Sequence, residues 1–83
     1  MDDQLSTREV GWVLDASPGA IRRMIRDGEI EHHRVPAGFR VPKAEVLRLA
    51  RARIEAEAGR RLDEAEIEQL IDAVLVTNRK VVD

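Results

Sequence analysis

Cysteine is missing from all 83 residues, which excludes disulfide staples and thiolate metal sites and fits a reducing cytoplasm. No apolar run approaches the roughly 18 residues that a membrane span needs, and the start "MDDQLSTREV" is acidic and polar instead of having the look of a targeting segment. Internal repeats and low-complexity segments are also lacking. So is a visible catalytic constellation: Glu64, Glu66 and Glu68 have no neighbouring nucleophile or histidine and read as a solvated helix face. The two histidines, His32 and His33, are adjacent on an extended stretch, where neighbouring side chains point to opposite faces, and no third ligand is in view. The reading is therefore of a cytoplasmic protein that is not an enzyme and carries neither metal nor cofactor, with His33 packed and His32 exposed.

What is present is one domain's worth of chain and an uneven charge. A chain this short buries only about 60–65% of its unfolded surface, so one small core is expected. The net charge is −2, yet residues 1–53 hold ten Arg and Lys against eight Asp and Glu, while residues 54–83 hold four against eight. A basic front joined to an acidic tail suits a module that faces a polyanion, followed by a segment that faces something else.

"LSTREVGWVL" begins with a capping box, Ser6 with Glu9, and Leu5 is placed to staple onto Val10. Val10, Val13 and Leu14 form an apolar stripe; Gly11 in its middle points to close approach of a second helix. "LDAS" turns the chain sharply, Ser17 caps a second helix, and Pro18 takes its first position. In "SPGAIRRMIRDG", Ile21, Met24 and Ile25 face inward, Arg22, Arg23 and Arg26 face away, and Gly28 ends the helix. "EIEHHRVPAGFRVP" alternates and reads as a β-hairpin with a three-residue loop, Pro36-Ala37-Gly38. That register sets Val35 against Phe39, His33 against Val41, and Arg34 directly against Arg40, a repulsion that a polyanion would relieve. Pro42 starts a third helix with Val46, Leu47, Ala50 and Ile54 inside and Arg48, Arg51 and Arg53 largely outside, broken at Gly59. From Asp63 an amphipathic fourth helix carries Ile67, Leu70, Ile71, Val74 and Leu75, and "TNRKVVD" reads as a frayed end.

The expected fold is thus mostly α with a small β-hairpin: a winged helix-turn-helix over residues 1–58 and a C-terminal amphipathic helical extension over 59–83. In that order of elements the second helix enters the major groove. The stretch from Leu5 to Ala50 resembles the excisionase-type DNA-binding domains, small relatives of the MerR regulators. The resemblance rests on the capped first helix, Ser17 before the second, "IRDGEI" after it, "HHRVPAGFRVP" and the proline-started third helix. It implies a phage or mobile-element protein, a recombination directionality factor in a bacterial host's nucleoid. Such a factor binds repeated sites beside an attachment site, bends the DNA, assembles cooperatively and directs integrase toward excision.

Carried over, the groove-facing surface maps to Pro18, Gly19, Arg22, Arg23 and Arg26, and the wing contacts to Arg34, Ala37, Gly38 and Arg40. Ser17 at the cap and Lys43 at the third helix start complete the expected DNA-binding set. The family usually has polar or basic side chains where this chain has Pro18-Gly19, and commonly basic ones where it has Ala37-Gly38. Base reading would then come from Arg22, Arg23 and Arg26.

The expected partners are double-stranded DNA, an integrase of the tyrosine recombinase class and neighbouring copies of the protein. Trp12 lies beside the stripe of its helix, either partly buried or touching a neighbouring copy. The apolar stripe of the last helix has two readings: it folds back to complete the core, or Ile67, Leu70, Ile71 and Val74 dock a partner. On the second, removing residues 60–83 leaves a folded domain. The alternatives in function are a small MerR-like transcriptional regulator, or an antitoxin-like or integrase-docking adaptor acting through the last helix.

Overall fold

Regular structure begins before the first helical periodicity. In the computed structural model, which describes residues 4–82 and side chains as far as Arg79, Gln4–Ser6 is a strand, β1. It runs antiparallel to a later strand, with Leu5 opposite Val41. Leu5 and Val10 share the core as the expected staple requires, but Leu5 reaches it from a strand whose backbone is paired.

Helix α1, Thr7–Leu14, has the full capping box: the Glu9 N–H donates to Ser6 Oγ at 3.2 Å and the Ser6 N–H to Glu9 Oε1 at 2.9 Å. Asp15 ends it in the left-handed region at φ 55°. The reason for Gly11 differs from the expected one. A Cβ there would stand 2.4 Å from the carbonyl oxygen of Ala16, so it is the turn's own backbone that demands glycine. The same turn is closed by the Ala16 N–H donating to the Gly11 carbonyl at 2.9 Å. Helix α2, Pro18–Arg26, is capped by Ser17, whose Oγ accepts from the Ala20 N–H at 3.1 Å. Ile21 and Ile25 are buried beneath it and Met24 is half-buried.

Strands β2, His33–Val35, and β3, Gly38–Pro42, form the hairpin, and β1 adds to its other edge to give the order β1-β3-β2. The loop has two residues, Pro36 and Ala37, because Gly38 at φ 134° joins β3 opposite Val35. This one-residue difference moves every cross-strand pair. Arg34 stands opposite Phe39 and His33 opposite Arg40, so the two arginines leave the ribbon on opposite faces and the expected Arg34–Arg40 repulsion does not arise. It also reverses the histidines. His33 is exposed, while His32 is half-buried, its Nδ1 3.0 Å from the Ile30 carbonyl and its ring edge-on to Phe39 at 5.4 Å.

Helix α3, Lys43–Ala58, follows with Pro42 as its cap, and Gly59 stops it at φ 69°. Val46 and Ala50 are buried, with Leu47 and Ile54 packed beside them. Helix α4, Glu64–Val82, extends through the segment expected to fray, and packs on α1 and α3. Among the described residues no helix is long and apolar enough to cross a membrane. The molecule is mostly helical with a small three-stranded antiparallel sheet. Its single core joins Leu5, Val10, Ile21, Ile25, Ile30 and Val41 to Leu62, Ile67, Ile71 and Leu75, so residues on both sides of Gly59 share one buried cluster.

Candidate nucleic-acid interface

The described cations divide by location. On α3, α4 and the segment between them, Lys43, Arg48, Arg51, Arg53, Arg60 and Arg79 each have a carboxylate partner. On α1, α2 and the hairpin, Arg8, Arg22, Arg23, Arg26, Arg34 and Arg40 form no ion pair among the described residues; of the rest only Arg61 shares that condition.

Helix geometry concentrates the unpaired charge. Burial of Ile21 and Ile25 turns Arg22, Arg23 and Arg26 to solvent, and Arg22 and Arg26 lie one turn apart on one face. Like charges so spaced cost a few tenths of a kcal/mol unless an anion lies between or beside them. Arg34 is exposed, with its guanidinium carbon 5.8 Å from the Phe39 ring centre, a cation–π placement that steadies it. Arg40 is half-buried and donates through Nη1 to the Phe39 carbonyl at 2.8 Å. Ser17 and Gly19 sit exposed at the start of α2, and a Cβ on Gly19 would meet nothing nearer than Ser17 Oγ at 3.9 Å and Arg22 Nη2 at 4.0 Å. Asp27 is the nearest acid in sequence and sits at the C-terminal cap of α2, without an ion pair among the described residues.

Lys43 differs from the other expected contacts. Its ammonium bonds Asp72 at 2.9 Å and Glu68 at 3.3 Å, both on α4, and the Asp72 hydrogen bond foremost raises its pKa above the ordinary lysine value. Its charge is already neutralised, so it does not belong with the free arginines. No local pattern around Lys43 signals these partners, because the acids lie 25 and 29 residues away.

Two carboxylates tie the scaffold together. Glu45 is buried and takes Arg48 in a two-point bond, at 2.7 and 2.8 Å, while accepting the Glu31 N–H at 2.9 Å. The Arg48 hydrogen bond leads in holding its carboxyl below the usual range. At Glu9 burial works upward, but bonds from Arg79 and from the Ser6 backbone outweigh it and the carboxyl is held low. Glu9 thereby joins the start of α1 to the far part of α4.

The expected protein-docking residues are separated by burial. Ile67 and Ile71 are each 1% exposed and belong to the core, which removes them from any docking face. Val74 is half-buried, Leu70 is exposed, and Trp12 is partly buried, lining a shallow apolar groove with Ile54, Leu70 and Val74. Arg8 is the residue that sequence reasoning missed. It is exposed at the first turn of α1 and lines one concavity with Arg22 and Arg40. Spacing shows only that it lies on the polar side of the α1 stripe, two positions after the Ser6 cap; its neighbours come from α2 and β3.

No protein-family model matches this chain, and comparison with curated proteins and with solved structures likewise gives no match.

Proposed function

We propose that this protein binds double-stranded DNA without catalysing a reaction, as a winged helix-turn-helix in which α2 enters the major groove and the β2–β3 hairpin is the wing. The carrying observation is the set of six arginines on α1, α2 and the hairpin that no carboxylate neutralises, in a molecule whose remaining described cations are, except for Arg61, ion-paired. Arginine in such a setting grips phosphate or takes a guanine edge at two points. The hairpin register assigns Arg34 and Arg40 to different faces of the wing, so they reach different parts of a duplex.

The narrower reading is an excisionase-type factor that binds repeated sites at an attachment site, bends the DNA with neighbouring copies and steers an integrase toward excision. Its support is the resemblance over residues 5–50 together with the order of capped helix, turn, arginine-faced helix and hairpin. Burial of Ile67, Ile71 and Leu75 in the protein's own core takes the centre of α4's stripe out of reach of a long dimerising contact of the regulator type.

Fluorescence anisotropy on duplexes from the DNA flanking the encoding gene, repeated over salt concentration, tests the binding. Each phosphate contact adds about 0.9 to the log–log slope. Arg22→Ala and Arg23→Ala are expected to weaken binding and flatten the slope, and Lys43→Ala to leave the slope unchanged. A shallow slope that neither arginine variant alters overturns the interface. Footprinting then separates the classes: direct repeats support the excisionase reading, and an inverted repeat replaces it with a small MerR-like regulator.

A further inference from the structure

The start of α1, the middle of α2 and the hairpin enclose a concavity of about 470 Å³, a size in the range of small-ligand sites. Three arginines from three separate elements line it: Arg8, Arg22 and Arg40. No carboxylate stands among its lining residues. The nearest in sequence, Glu9, has its oxygens taken by the Ser6 N–H and by Arg79. Its other walls are Ser6 and Thr7 on one side and Ala37, Gly38 and Phe39 on the other.

We propose that this concavity is a seat for a single phosphate group, bound by Arg8, Arg22 and Arg40. The inference rests on the DNA-binding reading for the source of the phosphate, but the chemistry is that of any phosphate mono- or diester. Three guanidiniums without a counter-ion repel one another, and one tetrahedral anion accepting from all three converts that repulsion into charge-assisted hydrogen bonds. Arg40 is prepared for this: one of its donors is fixed on the Phe39 carbonyl, so the group is held while other donors stay available. The opening of α1 at the same place adds the partial positive charge of a helix start. The seat also gives Ala37 and Gly38 a role. They line the concavity without filling it with a long side chain, and its charge comes from Arg8, Arg22 and Arg40.

The seat would fix where the DNA backbone crosses the protein, between the wing and the start of α1, and so set the register of α2 in the groove. Two measurements test it on the full chain, with circular dichroism confirming the fold of each variant. In salt-dependent anisotropy, Arg8→Ala is expected to lower the log–log slope by about 0.9, one phosphate's worth, while Arg61→Ala, an unpaired arginine outside the concavity, leaves it unchanged. In a titration with inorganic phosphate at constant ionic strength, the backbone amide resonances of Thr7, Arg8 and Gly38 are expected to shift, and to stop shifting in Arg8→Ala. A changed slope identifies a DNA phosphate as the occupant. Amide shifts with no DNA binding, or with an unchanged slope, support the seat but assign it to free phosphate, and absence of DNA binding there counts against the functional reading alone. An unchanged slope together with unmoved amides overturns the seat, even if the protein binds DNA.

Discussion

The α3–α4 side of this molecule and its α2–hairpin side treat charge in opposite ways. On the first, Lys43 meets Glu68 and Asp72, Arg51 meets Glu55, and Arg53 meets Asp15 and Glu57. On the second, Arg22, Arg23, Arg26 and Arg34 stand in solvent without an acid. Exposed ion pairs contribute little to stability, about 0–1 kcal/mol each, so the contrast is not about holding the fold together. It teaches where charge remains to be satisfied by something outside the chain. The total of −2 conceals this, since residues 1–53 carry a net +2 and residues 54–83 a net −4.

The strongest way to break the comparison is to remove the paired half. Deleting residues 60–83 strips Leu62, Ile67, Ile71 and Leu75 from the core. Each buried aliphatic side chain is worth about 1.5–3 kcal/mol, and whole-domain stabilities lie near 5–15 kcal/mol. The truncated chain is therefore expected to lose its cooperative thermal transition in circular dichroism, opposite to the outcome expected if α4 were a detachable docking face. A retained transition would mean the basic half folds alone.

A smaller loss is expected at Gly11. With Ala16's carbonyl oxygen 2.4 Å from the added Cβ, Gly11→Ala must push the α1–α2 turn apart, at about 1–3 kcal/mol in chemical denaturation. Because that turn sets the angle of α2, DNA affinity is expected to fall with it.

Acid should loosen the contacts that Glu9 and Glu45 make. Glu45 and Glu9 both have carboxyls held below their ordinary range, so their stabilisation is fully present above the unfolded carboxylate value and is lost as pH falls through their lowered folded values. Stability is expected to be flat from neutral pH to the usual carboxylate range and to drop below it. Glu45→Gln should shrink that drop, because the glutamine has no charge to lose; an undiminished drop would place the acid sensitivity elsewhere.

How much of this could be read from the chain follows from distance along it. Local chemistry was legible: the Ser6–Glu9 box, the sharp turn at "LDAS", the Ser17 cap with Pro18 behind it and the Gly59 stop all stand as spacing implied. So was the outward face of Arg22, Arg23 and Arg26, which burial of Ile21 and Ile25 dictates. What failed was anything decided by one residue of register or by distant partners. Pro-Ala-Gly reads equally as a loop of two or three, and the difference moved Arg34, Arg40 and both histidines. Strand β1 is too short to show alternation and exists because β3 has an edge to offer. Arg8's place in the concavity depends on Arg22 and Arg40 arriving from α2 and β3, which no local pattern contains.

The finest probe of the open side is Gly19, the counterpart of Gly11. Its position on α2 has room, with nothing nearer to an added Cβ than Ser17 Oγ at 3.9 Å. Alanine in a helix is better than glycine by up to about 1 kcal/mol, so Gly19→Ala should stabilise the protein slightly in denaturant titration. DNA binding is expected to move the other way, by less than the loss on Arg22→Ala, because a methyl group on the first turn of α2 holds the backbone away from the duplex. A variant that is more stable and binds as well as the wild type would show that the first turn never approaches DNA, and that α2 contributes through its arginines alone.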